Sequence, residues 1–200
     1  MSDEIEPPRF DQPPPPVPMP VERVVLLGYM TSGKSTVGAA VARRLEWGFV
    51  DFDVEIEGRA GATVPDLVAE SGMERLREME AALTAELAGA RWVVLAPGGG
   101  WITRPELLAM LGPATLAVWL RVSPGETVRR LRADTIERPF RESDDPVARI
   151  GRMIAEREPL YRLADLSIPT DGRGAESIAY EIECVVRARA LAAFAPQAHA

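Results

Sequence analysis

The stretch Gly28-Tyr29-Met30-Thr31-Ser32-Gly33-Lys34-Ser35 matches the pattern G-x-x-x-x-G-K-[S/T] at every fixed position. An apolar run at 24–27, typical of a buried strand, precedes it, and the small and apolar residues at 36–45 that follow are typical of a helix. The two glycines let the backbone bend close to a polyphosphate, and successive N–H groups then point inward at a helix N-terminus. The stretch predicts a phosphate-binding loop; the alternative is a chance match in a glycine-rich turn.

The lysine of this stretch stands out in the composition of the whole chain. Lys34 is the only lysine among 23 basic residues, the rest being arginine. A lone lysine inside a phosphate motif indicates a position that requires a compact ammonium group. We expect Lys34 to reach the β and γ phosphates of a nucleotide, and the Ser35 hydroxyl to bind Mg²⁺.

Length and charge limit the class of protein. Two hundred residues predict one domain with tails, and a net charge of −7 argues against a general binder of nucleic acid or of anionic membranes. The single cysteine, Cys184, cannot form an internal disulfide, which fits a reducing cytosol, and we expect it to fill the core. The acidic, proline-rich beginning does not have the pattern of a signal peptide, and no apolar run is long enough to span a membrane.

Both ends of the chain differ in composition from the middle. Residues 1–20 are rich in proline and poor in apolar residues, which predicts a disordered tail; a polyproline ligand for a partner is the alternative. A flexible tail is also predicted at 193–200, and the only histidine, His199, lies there and is not expected to act as a base. The folded domain is therefore predicted over 21–192.

Between the tails, apolar runs alternate with helical patterns. This order predicts an α/β fold: a three-layer sandwich of the P-loop, nucleoside-monophosphate-kinase type, with a five-stranded parallel sheet and helices on both faces. The strands are predicted at 24–27, 48–53, 92–96, 115–122 and 166–169. The helices are predicted at 36–45, from 62 onward, and at 73–87, 105–111, 124–131, 147–163 and 175–191, with Pro159 expected to kink or restart its helix.

Two carboxylates end the predicted second strand. Asp51 and Asp53 are spaced i and i+2, which places both on one side of a strand, at the carboxyl end where parallel sheets bind ligands. One carboxylate could hold Mg²⁺ through water, and the other could accept a proton from a substrate hydroxyl. The alternative is a turn or cap at the start of a helix.

A charged pair lies on the predicted helix at 73–87. Leu76 and Leu83 are spaced to face the core, while Arg77 and Glu80 fall on a neighbouring stripe and are three residues apart. Considered alone, such a pair is expected to lie on the surface and to contribute less than about 1 kcal/mol to stability.

Two further segments lack the pattern of a strand or a helix. Gly98, Gly99 and Gly100 follow the third strand, which favours either close approach of the backbone to a ligand or a tight turn. Charged residues replace the apolar pattern over about 132–146, which predicts a mobile lid with Arg138 crossing the phosphates, or else a solvated loop.

In this order and at similar spacing, the segments resemble the shikimate kinase family. The resemblance covers about residues 23–190, and the ordered set is more specific than the P-loop alone. It rests on 28–36, Asp51-Phe52-Asp53, 74–80, Gly98-Gly99-Gly100, Arg138-Pro139 and Arg157-Glu158-Pro159-Leu160-Tyr161.

The resemblance implies roles on the acceptor side. Asp53 corresponds to the aspartate that holds the ring hydroxyls of shikimate and is the candidate base. Arg77 and Arg157 correspond to the two arginines that bind the shikimate carboxylate, and Glu80 positions Arg77. The triple glycine places N–H groups beside the ring.

The resemblance also implies roles on the nucleotide side. Asp51 supports Mg²⁺ with Ser35, the lid residue Arg138 stabilises the transferring phosphoryl group, and Arg130 and Arg173 lie near the adenine. The implied catalytic residues are Lys34, Asp53 and Arg138. The implied ATP-binding residues are Gly28, Met30, Thr31, Ser32, Gly33, Lys34, Ser35, Thr36, Arg130, Arg138 and Arg173.

Several positions depart from the family's usual residues. Thr31 stands where glycine is usual in the loop, and Leu76 and Trp101 stand where other residues are usual around the ring pocket. Replacing one apolar wall by another changes discrimination between substrates by about 1–3 kcal/mol. The remaining departures are Pro97 and Phe140-Arg141.

The expected function is that of an ATP:shikimate 3-phosphotransferase, on the route to chorismate and the aromatic amino acids. The alternatives are a kinase of the same fold that acts on gluconate, adenylyl sulfate or a nucleoside monophosphate, and a nucleotide-binding regulatory module without turnover. The expected ligands are ATP, Mg²⁺ and a small carboxylated polyol, in a cytoplasmic monomer without nucleic-acid or membrane partners.

Overall fold

The computed structural model describes residues 20–133 and 145–194 of the chain. The five strands and the predicted helices come in the predicted order, and one helix that was not predicted lies directly after the second strand. In chain order the elements are β1 (Arg23–Leu27), α1 (Lys34–Leu45), β2 (Gly48–Asp51), α2 (Phe52–Ala60), α3 (Val64–Leu87), β3 (Val93–Ala96), a short 3₁₀ helix (Trp101–Thr103), α4 (Glu106–Met110), β4 (Thr115–Arg121), α5 (Pro124–Ala133), α6 (Pro146–Tyr161), β5 (Leu166–Pro169) and α7 (Ala175–Phe194).

The five strands form one parallel sheet in the order β2-β3-β1-β4-β5, which confirms the predicted fold class. β1 is central, and its Val25 pairs with Leu95 of β3 on one side and with Ala117 of β4 on the other. The segments that follow β1, β2 and β3 therefore leave the sheet at the same edge. In open parallel sheets this carboxyl edge is where ligands bind.

Alternate residues of the strands pack into two separate layers of core. On one face Val24 and Leu26 of β1 contact the apolar residues of α1 and α7. On the other face Val25 and Leu27 pack with α2, α3, α4 and Tyr161 at the end of α6. Helices cover both faces, as expected for a parallel sheet.

Local signals for the helix ends agree with the structure. The Thr63 hydroxyl accepts a hydrogen bond from the Asp66 N–H at the start of α3, and the Ser123 hydroxyl does the same for Glu126 at the start of α5. Pro159 lies in the last turn of α6, and the helix runs through it to Tyr161 rather than restarting.

Two sequence expectations require correction and one is confirmed. β2 ends at Asp51, and Asp53 already belongs to α2. The backbone at Gly72 is non-helical (φ 83°, ψ 165°), so α3 consists of two helical parts joined at a kink, in agreement with the two helices predicted from 62 onward and at 73–87. Cys184 is exposed, because Ile182 and Val186 are the residues that α7 turns toward the core.

Some predicted features lie outside the described residues. These are the proline-rich tail over 1–19, residues 134–144 of the predicted lid with Arg138, and residues 195–200 with His199. The domain boundaries therefore stay predictions. Over the ranges 20–133 and 145–194, no helix is both long and apolar enough to cross a membrane.

Candidate active site

The loop between β1 and α1 has the backbone that its glycines were expected to provide. Gly28 and Gly33 adopt φ values of 152° and 96°. A Cβ atom on Gly28 would lie 2.6 Å from the Leu120 carbonyl oxygen, so a larger residue cannot occupy that position without displacing β4. Gly33 caps α1, and the helix begins at Lys34 with its N-terminus next to the loop.

Thr31 introduces strain into the same loop. Its φ is 61°, in the left-handed region that a β-branched residue rarely adopts. Its carbonyl oxygen accepts a hydrogen bond of 2.8 Å from Nη1 of Arg130, whose Nη2 donates to the Thr170 carbonyl at 3.1 Å. Arg130 thereby joins the loop to the segment that follows β5.

Lys34 is directed back across the loop. Its Nζ donates to the carbonyl oxygens of Gly28 at 2.9 Å and of Tyr29 at 3.2 Å. A phosphate oxygen could replace either carbonyl as acceptor, and a charge-assisted hydrogen bond to an anion is stronger than one to a neutral carbonyl.

A cavity of about 630 Å³ opens beside the loop at the carboxyl edge of the sheet. It brings together most of the residues predicted to bind the nucleotide and the metal, with both aspartates. The lining includes Met30, Thr31, Ser32, Gly33, Lys34, Ser35, Thr36, Asp51, Asp53, Gly98, Gly99, Arg130 and Arg173. Gly28 is absent from the lining, and Arg173 forms an ion pair of 2.8 Å with Glu181.

The two aspartates reach this cavity from a helix start rather than from one strand. An Asp51 side-chain oxygen accepts a hydrogen bond of 3.1 Å from the backbone N–H of Asp53, so Asp51 caps α2. The capping interpretation is therefore correct for Asp51, and the alternation argument for the pair is wrong. Because both residues also line the cavity, the cap and a role toward ligands occur together.

Oxygen donors at this wall fit a magnesium ion. The Ser35 hydroxyl and the Asp51 carboxylate lie on the same cavity as Lys34. No cluster of three or more His, Cys, Asp or Glu side chains suited to a metal occurs within the described part of the chain. Mg²⁺ is usually held by one or two carboxylates plus waters and substrate phosphates, so this sparse donor set suits it.

The pair Arg77 and Glu80 is not the surface pair that spacing alone predicted. Glu80 is 1% exposed, and its carboxylate accepts a hydrogen bond from Nη1 of Arg77. Burial raises the pKa of Glu80 above its ordinary value, and the hydrogen bond from Arg77 opposes this shift. Burying a carboxylate beside a half-buried arginine costs free energy of desolvation, so the pair is a candidate for positioning a side chain rather than for adding stability.

The three glycines contact different groups. A Cβ on Gly98 would lie 2.9 Å from Oε1 of Glu80 and 3.3 Å from Oδ1 of Asp53, while one on Gly100 would collide with the Arg77 guanidinium. One on Gly99 would lie 3.2 Å from the Met30 nitrogen, in the phosphate-binding loop. A turn does occur here, since the Trp101 N–H donates to the Gly98 carbonyl at 3.0 Å, and each missing side chain also makes room for a neighbouring residue of the site. Close approach of the glycines to a ligand stays a prediction.

Arg157 belongs to α6 and lies beside Gly99. Its Nη1 donates to the Gly99 carbonyl at 3.2 Å, and the Tyr161 hydroxyl donates to the same oxygen at 3.1 Å. Residues from α2, α3, α6 and the glycine segment therefore meet at one edge of the cavity. Arg77, Glu80, Arg157 and Gly100 are not part of the cavity lining. Glu80 and Arg157 lie beside Gly98 and Gly99, which are part of it, and Arg77 lies beside Gly100.

Several residues at or beside the site were not predicted from the sequence. Arg129 lines the cavity beside Arg130. Arg104 donates to the Arg77 backbone carbonyl at 3.3 Å. Tyr29 occupies a variable position of the motif, so no signal marked it.

Trp101, expected at the ring pocket, is 1% exposed and donates from Nε1 to the Thr84 hydroxyl at 3.0 Å, so its indole belongs to the core.

This chain is similar to known proteins over most of its length. A family model described as shikimate kinase matches residues 30–186. The shikimate kinase of Halorhodospira halophila is 42% identical over 161 residues, which cover 80% of this chain and 90% of the relative. That of Moorella thermoacetica is 38% identical over 165 residues, which cover 82% and 94%.

A solved structure extends the likeness to three dimensions. Shikimate kinase from Acinetobacter baumannii in complex with shikimate aligns with a TM-score of 0.77 at 31% identity. The alignment covers 86% of this chain and 96% of that protein.

Proposed function

The chain belongs to the shikimate kinase family, so it is a P-loop kinase that phosphorylates shikimate from ATP, and we propose how its own residues carry out transfer to the 3-hydroxyl. The observation that carries the proposal is the meeting of two arginines, Arg77 and Arg157, at the glycine segment whose Gly98 packs against Asp53. A carboxylate site and a candidate base thus flank the same backbone, next to the phosphate-binding loop.

On the acceptor side the two guanidinium groups bind the shikimate carboxylate. Planar guanidinium forks match a carboxylate in geometry and in charge. Arg77 is held ready by Glu80, and Arg157 by the Gly99 carbonyl. Binding therefore costs little reorganisation of either side chain.

Asp53 orients the 3-hydroxyl and accepts its proton as the hydroxyl oxygen attacks the γ-phosphorus of ATP. The bond between that phosphorus and the bridging oxygen breaks, and ADP leaves. Phosphoryl transfer requires mainly in-line positioning and neutralisation of charge, so a weak base suffices. The position of Asp53 in the first turn of α2, beside Gly98, supports this role.

On the nucleotide side the loop N–H groups and Lys34 bind the phosphates, while Arg130 and Arg173 line the part of the cavity assigned to the adenine. Ser35 and Asp51 would hold Mg²⁺, which supplies positive charge at the phosphates. Arg138, outside the described residues, stays our candidate for the arginine that closes over the transferring group. We also expect a cytoplasmic monomer.

The test is ADP release by the purified full-length chain with Mg-ATP and one acceptor at a time: shikimate, gluconate, adenylyl sulfate, AMP or none. We expect release only with shikimate. Release with another acceptor alone would overturn the carboxylate assignment of Arg77 and Arg157 and leave the phosphate chemistry standing. Binding of ATP without release for any acceptor would instead favour a regulatory module.

A further inference from the structure

One peptide group lies between the two arginines assigned to the shikimate carboxylate. Its carbonyl oxygen, that of Gly99, accepts a hydrogen bond of 3.2 Å from Nη1 of Arg157. At its other end Gly100 packs so closely on Arg77 that a Cβ atom there would collide with the guanidinium group. Because a peptide group is planar and rigid, its orientation helps to set the distance between the two guanidinium groups.

Tyr161 supplies a second donor to the same carbonyl oxygen. Its hydroxyl lies 3.1 Å from the Gly99 oxygen, and the residue is 1% exposed. A carbonyl can only accept, so the hydroxyl is the donor. Burial raises the pKa of this hydroxyl above its ordinary value of 10.0, while the positive charge of Arg157 acts in the opposite direction. The hydroxyl therefore keeps its proton at neutral pH.

The ring of Tyr161 is held by the sheet. It stacks on the indole of Trp119 in β4, with the ring centroids 5.5 Å apart and the two planes inclined by 16°. Trp119 is 6% exposed and pairs with Leu27 of the central strand β1. A side chain whose position is fixed by packing on a rigid strand can hold its hydrogen bond in one direction.

Arg157 and Tyr161 belong to one face of α6. They are four residues apart, which is close to one helical turn, and both reach the Gly99 oxygen. The guanidinium carbon of Arg157 also lies 5.6 Å from the centroid of the Tyr29 ring, within the range of a cation–π contact. Since a carbonyl oxygen has two lone pairs, the hydroxyl can hold the peptide whether or not Arg157 donates to it.

We propose that Tyr161 is a positioning residue that fixes the Gly99–Gly100 peptide and thereby the spacing of the two acceptor arginines. Two guanidinium groups bind one carboxylate well only when both present their donors at the right separation. Without the hydroxyl the peptide can rotate, and this separation is lost. Tyr161 is not part of the cavity lining, so it acts through other residues. The proposal rests on the proposed function, because that function assigns Arg77 and Arg157 to the carboxylate.

The first test is Tyr161→Phe in the full-length chain, which removes the hydroxyl and keeps the ring. Measured by ADP release, the KM for shikimate is expected to rise by about 3- to 10-fold, the size of one lost hydrogen bond. Both kcat and the KM for ATP should stay within about 2-fold. An unchanged KM for shikimate overturns the proposal, and so does an equal rise in the KM for ATP, which would indicate a general structural defect.

The matched control for loss of a tyrosine hydroxyl is Tyr180→Phe. Tyr180 lies on α7, is 58% exposed and is not part of the cavity lining. This variant is expected to change neither KM. A rise in the KM for shikimate equal to that of Tyr161→Phe would show that the effect does not depend on the contact with Gly99.

A double-mutant cycle distinguishes spacing from loss of stability. If the hydroxyl acts by setting the distance between two arginines, it matters only when both are present. In an Arg77→Ala background, Tyr161→Phe is therefore expected to change kcat/KM for shikimate by less than about 2-fold, whereas in an Arg75→Ala background the full effect should remain. The same fold-change in both backgrounds would show that Tyr161 acts independently of Arg77 and would refute the proposal.

NMR reports on the contact without turnover. The Gly100 nitrogen is conjugated with the Gly99 carbonyl, so its nitrogen-15 chemical shift should respond when a hydrogen bond to that carbonyl is lost. We expect Tyr161→Phe to move this resonance and Tyr180→Phe to leave it in place; an unmoved resonance in Tyr161→Phe overturns the proposal. Failure of the proposed function looks different, since the resonance would move while the unaltered chain released no ADP with shikimate.

Discussion

The nucleotide side and the acceptor side of this site are built in opposite ways. The centre of the proposed nucleotide side is one continuous stretch, 28–35, that presents backbone N–H groups and one ammonium at the start of α1. The acceptor side is assembled from α2, α3, the glycine segment and α6, and it presents side chains held by buried partners. A site made of backbone groups can be encoded in a short motif, whereas a site made of side chains from several elements forms only in the completed fold.

This difference predicts that substitutions on the two sides impair different kinetic parameters. A change on the nucleotide side should damage every turnover, because the phosphates are common to all steps. A change on the acceptor side should act mainly through shikimate. The substitutions below test this difference between the two sides, from the largest expected effect to the smallest.

Lys34→Ala should lower kcat by at least about 10²- to 10³-fold, because it removes the ammonium group proposed to bind the phosphates, which donates to the carbonyl oxygens of Gly28 and Tyr29. The measurement is ADP release at saturating ATP and shikimate. Lys34→Arg is the matched control and should remain strongly impaired, since a planar guanidinium does not replace a compact ammonium. Normal turnover in Lys34→Ala would remove Lys34 from the mechanism, and normal turnover in Lys34→Arg would show that the position does not require an ammonium group.

Arg77→Ala should lower kcat/KM for shikimate by about 10- to 100-fold, the size expected when a hydrogen-bonded charged partner is lost. The KM for ATP should stay within about 2-fold. Arg75→Ala is the control, because Arg75 pairs with Glu78 at 3.0 Å at the same i, i+3 spacing on the exposed side of α3. Equal effects of the two variants would contradict the difference between a buried and an exposed pair.

The pH dependence of stability should distinguish the buried carboxylate from an exposed one. The raised pKa of Glu80 means that its contribution to the free energy of unfolding is present below its ordinary pKa of 4.5 and is lost as pH rises through the folded value. The Tm of the unaltered chain minus that of Glu80→Gln should therefore fall as pH rises from 4 to 7.

Glu86 is the control for this measurement. A hydrogen bond from Arg59 lowers its pKa, so its contribution is present above pH 4.5 and is lost as pH falls. The corresponding difference for Glu86→Gln should rise with pH, and it should be small because the pair is exposed. The same sign for both variants would show that burial does not govern Glu80.

The smallest effect is expected for Thr31→Gly. Relief of the left-handed conformation offsets the extra flexibility of glycine and should raise Tm by about 1–4 °C in thermal unfolding. Glu46→Gly is the matched control, because Glu46 has a φ of 58° at the end of α1. Both should stabilise, while only Thr31→Gly should alter the KM for ATP. A lower Tm for Thr31→Gly would show that no strain is stored there.

The sequence predicted the sheet, the loop and the identity of the family more completely than the acceptor side. Lys34 and the strand before it follow from a local pattern. The burial of Glu80 does not, because it depends on how α3 packs beside Gly98. Asp53 was placed on a strand because alternation says nothing about where the strand ends. Tyr29 was missed because its partner, Arg157, lies far away in the sequence.

The most direct measurement is the structure of the product. Shikimate and Mg-ATP are incubated with the full-length chain, and the phosphorylated product is examined by phosphorus-31 and proton NMR. The account predicts one product, with the phosphate on the 3-hydroxyl, in an amount equal to the ADP released. Phosphate on another hydroxyl, or release of ADP without a phosphorylated acceptor, would contradict the arrangement of Asp53, Arg77 and Arg157 proposed for the acceptor side.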